Sequence, residues 1–134
     1  MSQTAKQCLE EFYDLKPGEI IKNPDVYLLI TEKTRISRRA IKHIVETRKL
    51  DGLSKERIGY LFYMTPETIR YPEIDYENPN QKKYPGSKLL GKFDEASNQG
   101  ILVIIDKGEH VKDIINIFGR KAKKYFKLIK KIMV

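Results

Sequence analysis

The sequence has few of the residues that most often carry a small protein's chemistry. One cysteine, Cys8, in 134 residues excludes an internal disulfide framework and a cysteine-built zinc site. Histidine occurs twice, at His43 and His110. The carboxylates are scattered, with no H-E-x-x-H and no paired-carboxylate pattern, so the reading calls for neither a metal nor a cofactor. No apolar run approaches the roughly 20 residues that cross a bilayer, and residues 1–11 contain no apolar signal core. Internal repeats and low-complexity segments are absent as well. The expectation is a single cytoplasmic domain over residues 1–134. Two alternatives stay open: a domain of a larger protein, or an effector delivered into a target cell by a route the sequence does not show.

What the chain does have is positive charge, unevenly placed. The formal net charge is +8. Residues 120–134 hold seven basic residues and no acid, and residues 33–49 hold seven basic residues and one acid, which leaves a mildly acidic body. Two basic segments of this kind suit a polyanion, and RNA, DNA and acidic lipid all qualify. A single basic helix is more often a solvated face; two of them, one carrying a histidine, weigh against that reading.

Apolar periodicity predicts the elements. Ala5, Cys8, Leu9 and Phe12 fall at helical spacing within residues 4–14. Residues 25–31 read as a strand. Ser37 is an N-cap candidate with a hydrophobic staple from Ile36 to Ile41, opening a helix to residue 49. Ser54, with Leu53 and Ile58, opens another that should stop near Pro66. Residues 68–84 read as a long loop, with one strand at 68–71. Loops of this length are often functional or mobile. Residues 87–94, 101–105 and 111–118 read as an antiparallel meander, the middle run buried on both faces. Residues 121–133 close the chain as a basic amphipathic helix with Ala122, Tyr125, Phe126, Ile129 and Met133 on its inner stripe. The order predicts an α+β fold: N-terminal helices packed on one side of an antiparallel β-meander sheet, with a basic C-terminal helix.

The chemistry centres on the first basic helix. With Ile41 at 0°, Val45 and Ile44 flank it, whereas His43 falls at about 200° and Arg39 at about 160°. His43 is therefore no core histidine; it is either a plain surface residue or a working one. With Arg39 one turn earlier and Lys42 beside it, the face could accept a proton from a ribose 2′-hydroxyl and stabilise charge on a phosphate. DNA lacks that hydroxyl and could not react this way. Asn116 interrupts the apolar run 114–118, which places it either facing a cleft, where it could orient a phosphate or base, or at a bulge or edge. His43, Lys42, Arg39 and Asn116 are the candidate catalytic residues. Arg38, Arg48, Ser87, Lys88, Lys92 and Arg120 are the candidate RNA contacts. His110 reads as an exposed turn histidine, the alternative being an acid–base pair with His43. Tyr71, Tyr76 and Tyr84 could stack on unpaired bases or simply pack the long loop.

Residues 35–49, RISRRAIKHIVETRK, followed by YPGSKLLGKF, GILVIID and DIINIFGRKAKKYF, resemble the phage-associated branch of the barnase–EndoU–colicin–RelE-like nucleases. The resemblance runs from about residue 25 to the C-terminus. It implies a metal-independent endoribonuclease with His43 as the helix histidine, Lys42 as the lysine before it, and Arg39 and Arg48 as flanking basic positions. Where the group often has serine or threonine in the last strand, this chain has Asn116. Members are commonly toxins and several cut tRNA, which implies RNA as partner, tRNA among the candidate substrates, a 2′,3′-cyclic phosphate product, and an acidic inhibitor or immunity protein.

Two rivals remain. Arg38 and His43 also satisfy the R-x4-H spacing of the all-helical HEPN ribonucleases, but the strand-like runs argue against that fold. The stronger rival is a non-catalytic module whose C-terminal helix docks nucleic acid, an acidic partner or an anionic membrane surface.

Overall fold

In the computed structural model, which describes residues 3–108 and 110–133, four helices enclose a six-stranded sheet, an α+β architecture. The side chain of Met133, expected on the inner stripe of the last helix, lies outside the described residues.

Helix α1 (Gln3–Tyr13) buries Ala5, Cys8, Leu9 and Phe12. The hairpin β1 (Tyr27–Thr31) and β2 (Thr34–Ser37) follows. Ser37 ends β2 and caps α2 (Arg38–Leu50), its Oγ accepting the Ala40 N–H at 3.0 Å. Ser54 caps α3 (Lys55–Arg70) in the same way, accepting from Arg57 N–H. Then come β3 (Ile74–Glu77), β4 (Ser87–Asp94), β5 (Gln99–Asp106), β6 (Lys112–Lys121) and α4 (Ala122–Met133).

The strand order is β1-β2-β6-β5-β4-β3. Strands β3 to β6 pair antiparallel, but β2 joins β6 in parallel, with Thr34 opposite Lys112 and Arg35 opposite Asp113. The sheet is therefore mixed rather than wholly antiparallel. The Arg35–Asp113 ion pair, 2.6 Å, locks that junction. Strand β2 has only four residues and runs straight into the α2 cap, so no alternation marks it in the sequence.

The helices do not share one side. Leu90, Ile101, Val103, Ile105, Ile114 and Ile117 face α1, α2 and α3; Leu89, Leu102 and Ile104 face α4. Strand β5 is buried on both faces, as its unbroken apolar run predicts. Helix α4 docks through Tyr125, whose ring lies on the backbone at Gly91 and Gly100. A Cβ at Gly100 would sit 2.0 Å from that ring. Burial raises the Tyr125 hydroxyl far above its usual range, helped by Glu73.

Two further expectations are corrected. Helix α3 does not stop at Pro66 but runs through it to Arg70. Met64, Thr65, Pro66 and Thr68 are all buried against the sheet, and that packing outweighs the backbone hydrogen bond that proline removes. Thr65 and Thr68 donate their hydroxyls to the Leu61 and Met64 carbonyls within the helix. The strand expected at 68–71 is consequently the end of the helix and its C-cap, and the strand forms six residues later, beyond Pro72.

Candidate functional site

Helix α2 separates the predicted site residues by facing two ways. Its inner stripe of Ile41, Ile44 and Val45 continues into Arg48, which is buried with them. On a helical wheel Arg48 lies about 140° from His43. His43 is exposed and lines an open groove with Glu19, Ile20, Ile21 and Pro24 of the segment that follows α1. Arg39, Lys42 and Glu46 share that groove. The cations around His43 are taken by carboxylates: Arg38 pairs with Glu11 at 2.7 Å, Arg39 with Asp25 at 2.9 Å, and Lys42 with Glu46 one turn along. Arg38 also donates to the Lys22 carbonyl, so it ties α1 and the following segment to α2.

Asn116 is elsewhere. It lies across the sheet from Ile104, next to a bulge in β6, and faces the α4 side. Its Oδ1 accepts the Ile117 N–H at 2.9 Å, and its Nδ2 donates to the Tyr84 hydroxyl at 3.3 Å. Both readings of Asn116 therefore describe its position: beside a bulge and facing a cleft.

That cleft, about 920 Å³, opens between α4 and residues 78–84. Its floor is Leu89, Ile104, Asn116 and Phe118. Arg48 and the α2 cap residue Asp51 border it alongside β6. From α4 come Lys124, Lys127 and Lys131; Arg120 and Lys83 complete the charge. With Tyr125 docked inward at 0°, these three lysines span only about 60° of the helix circumference, so one face of α4 delivers all of them. Among the described lining residues, six cations face one carboxylate.

The opposite wall is held by its own side chains. Asn78 is buried; its Oδ1 accepts from Asn80 N–H at 3.0 Å and its Nδ2 donates to Ser87 Oγ at 3.0 Å. Gln81 donates to the carbonyls of Asn78 and Ser87 and accepts from Gly86 N–H. Gly86 adopts a left-handed φ of 70°, which glycine alone adopts without cost. These bonds fix Tyr84 over the cleft.

Arg48 is the unusual member. Only 8% of it is exposed, yet its Nε finds no hydrogen-bond acceptor among the described residues. Asp51 lies 3.3 Å from that Nε, an ion pair without hydrogen-bond alignment. Burial holds the guanidinium below the usual arginine range, Asp51 opposes this, and Arg120 adds to it. The Arg48 and Arg120 guanidinium carbons stand 5.8 and 4.6 Å from the centre of the Phe118 ring.

The structure thus scatters the predicted residues rather than gathering them at one site. Asn116, Arg48 and Arg120 come together in the cleft. His43, Lys42 and Arg39 line the groove on the far side of α2, and Arg38 sits beside it. Lys88 and Lys92 project from the sheet face that α1–α3 cover, Lys88 paired with Asp75 and Lys92 lying 3.7 Å from Glu67. Ser87 is fully buried, donating to the Tyr84 carbonyl and accepting from Asn78, and has no group turned outward. His110 is exposed in the turn between β5 and β6. The cleft residues missing from the predicted site are Lys83, Asn78, Asn80 and the three α4 lysines, the last implicated only collectively, in the rival reading of a docking C-terminal helix. The lysines do carry a signal: 124, 127 and 131 are spaced by three and four.

Among the described residues, no helix is long and apolar enough to cross a membrane. No group of three or more His, Cys, Asp or Glu among them could hold a metal ion. No family model, curated protein or solved structure matches the chain.

Proposed function

We propose that this protein binds RNA, holding its phosphate backbone in the cleft between α4 and residues 78–84. The observation that carries the reading is the charge of that cleft: six cations against one carboxylate, whereas the cations beside His43 are already paired. Cations without partners release counterions when phosphates replace them, and this supplies most of the affinity of a backbone-reading protein. Tyr84 offers an aromatic face to an unpaired base. The preference for RNA over DNA rests on the resemblance of residues 35–49 to the barnase–EndoU–colicin–RelE-like ribonucleases.

A second reading, metal-independent endoribonuclease, is favoured by one arrangement. The Tyr84 hydroxyl, held by Asn116, stands in the same cleft as Arg48 and Arg120. In that reaction the ribose 2′-oxygen loses its proton and attacks phosphorus. The bond to the 5′-oxygen breaks, that oxygen takes up a proton, and a 2′,3′-cyclic phosphate and a 5′-hydroxyl result. Arg48 and Arg120 would stabilise the charge on the phosphoryl oxygens. The Tyr84 hydroxyl, which both donates and accepts, would relay the proton. A toxin-like nuclease of this kind would meet an acidic inhibitor on the same cationic face.

The test incubates purified protein with single-stranded RNA and with tRNA in EDTA, alongside the Tyr84→Phe and His43→Ala proteins. Binding by the wild type and both variants, without cleavage, supports the RNA-binding module. Cyclic-phosphate fragments lost in Tyr84→Phe place the ribonuclease in the cleft. Fragments lost only in His43→Ala return the chemistry to the groove beyond α2. Absence of any RNA binding overturns both readings.

A further inference from the structure

The cleft's charge is not all of one kind. The α4 lysines and Lys83 are surface cations on flexible stems, able to follow a polyanion without fixing it. Arg48 differs in three respects. It is nine-tenths buried, its Nε makes no hydrogen bond and has only the Asp51 carboxylate beside it at 3.3 Å, and its position continues the buried α2 stripe of Ile41, Ile44 and Val45. A guanidinium nitrogen in that state has lost its water and has a charge beside it but no aligned acceptor, which costs stability unless a ligand completes it. Its placement in the last turn of α2 favours a cation, but the helix terminus supplies no acceptor to Nε.

We propose that Arg48 is a phosphate anchor at the border of the cleft, engaging one phosphate side-on and thereby selecting a single strand over a duplex. This deepens the RNA-binding reading and rests on it. The side-on edge of an arginine matches two phosphate oxygens in a way that a lysine ammonium cannot. Arg120, on the same Phe118 ring, is placed to meet the other oxygens. A single strand can thread between α4 and the wall of residues 78–84 and lower a phosphate to a buried group. A duplex carries its phosphates on two broad ridges and reaches only the exposed lysines. Tyr84, fixed above the cleft by Asn116, then meets the base of a neighbouring nucleotide, which is accessible only when unpaired.

The experiment measures the affinity of a uridine decamer and of a ten-base-pair RNA duplex for the wild type, Arg48→Lys and Arg48→Met. Thermal unfolding is recorded for each protein. The wild type should prefer the single strand. Arg48→Lys keeps the charge but loses the fork, and should weaken the single strand about tenfold, the worth of one charge-assisted hydrogen bond, while leaving the duplex unchanged. Arg48→Met should weaken the single strand further yet melt no lower than the wild type, because it removes a desolvated nitrogen with no hydrogen bond while the Asp51 carboxylate it leaves behind is half exposed and stays hydrated. A purely structural arginine would give the reverse: lower melting in Arg48→Met and no strand selectivity in the binding change. Single-strand affinity unaltered in Arg48→Lys, with salt-sensitive RNA binding intact in the wild type, overturns the anchor and leaves the RNA-binding reading standing. A wild type that binds neither RNA overturns both.

Discussion

Asn116 spends both ends of its amide on local structure. Its oxygen takes up the Ile117 N–H beside the β6 bulge, and its nitrogen holds the Tyr84 hydroxyl over the cleft. Such a side chain in an apolar run is costly unless both ends are satisfied, and here they are. Asn116→Ala should therefore cost about 1 kcal/mol of stability, seen as a lower urea midpoint with an unchanged slope. It should also release Tyr84, seen as a gain in acrylamide quenching or hydrogen exchange at residues 80–84. A variant as stable as the wild type with Tyr84 still held would mean that these hydrogen bonds contribute nothing net. At this scale the sequence was informative about type and silent about company. Asn116 stands out in its strand, and His43 falls opposite the apolar stripe of its helix. Nothing local to either residue says that helix α2 turns one away from the other. Nor does the sequence pair Arg39 with Asp25 or Arg38 with Glu11, because those partners lie 14 and 27 residues away.

Elements were more legible than sites where the period was strong and the cap local. Helices α1 and α2, the two serine caps and the buried run of β5 follow from spacing alone, since each depends on residues within a turn or two. Pro66 misleads for a tertiary reason: the helix continues because the sheet buries residues 64–68. The side of the sheet taken by α4 is equally invisible in its own amphipathic pattern. It is written instead in Gly91 and Gly100, which leave bare backbone for the Tyr125 ring. Gly100→Ala should force that ring away and cost about 3 kcal/mol, the upper part of the usual range for overpacking, measurable by denaturant unfolding. Because α4 forms one wall of the cleft, any fraction that remains folded should also bind RNA more weakly. A Gly100→Ala protein with wild-type stability and affinity would mean that α4 does not depend on that contact.

The molecule as a whole uses its two basic segments differently, with Arg48 the one cation of the first among the described residues that border the cleft. The first, at 33–49, is largely spent on internal ion pairs and on the Arg35–Asp113 lock between β2 and β6. Of the second, at 120–134, Arg120, Lys124, Lys127 and Lys131 line the cleft, where Asp51 is the one carboxylate among the described lining residues. Composition alone shows a polyanion footprint but cannot say which segment is neutralised, because that depends on which carboxylates the chain brings back to it. The sequence thus points to a polyanion as the expected partner, and only the fold says which basic segment is left to meet one.

The most direct measurement is the salt dependence of RNA binding. A single-stranded oligonucleotide should be titrated at several salt concentrations into the wild type, into a variant with Lys124, Lys127 and Lys131 all changed to alanine, and into His43→Ala. If all six cleft cations meet phosphates, the wild-type slope of log affinity against log salt should approach about −4 and fall to about −2 in the triple variant. His43→Ala should match the wild type. A slope unaffected by losing the three lysines but reduced in His43→Ala would contradict the account and put the RNA on the other side of α2.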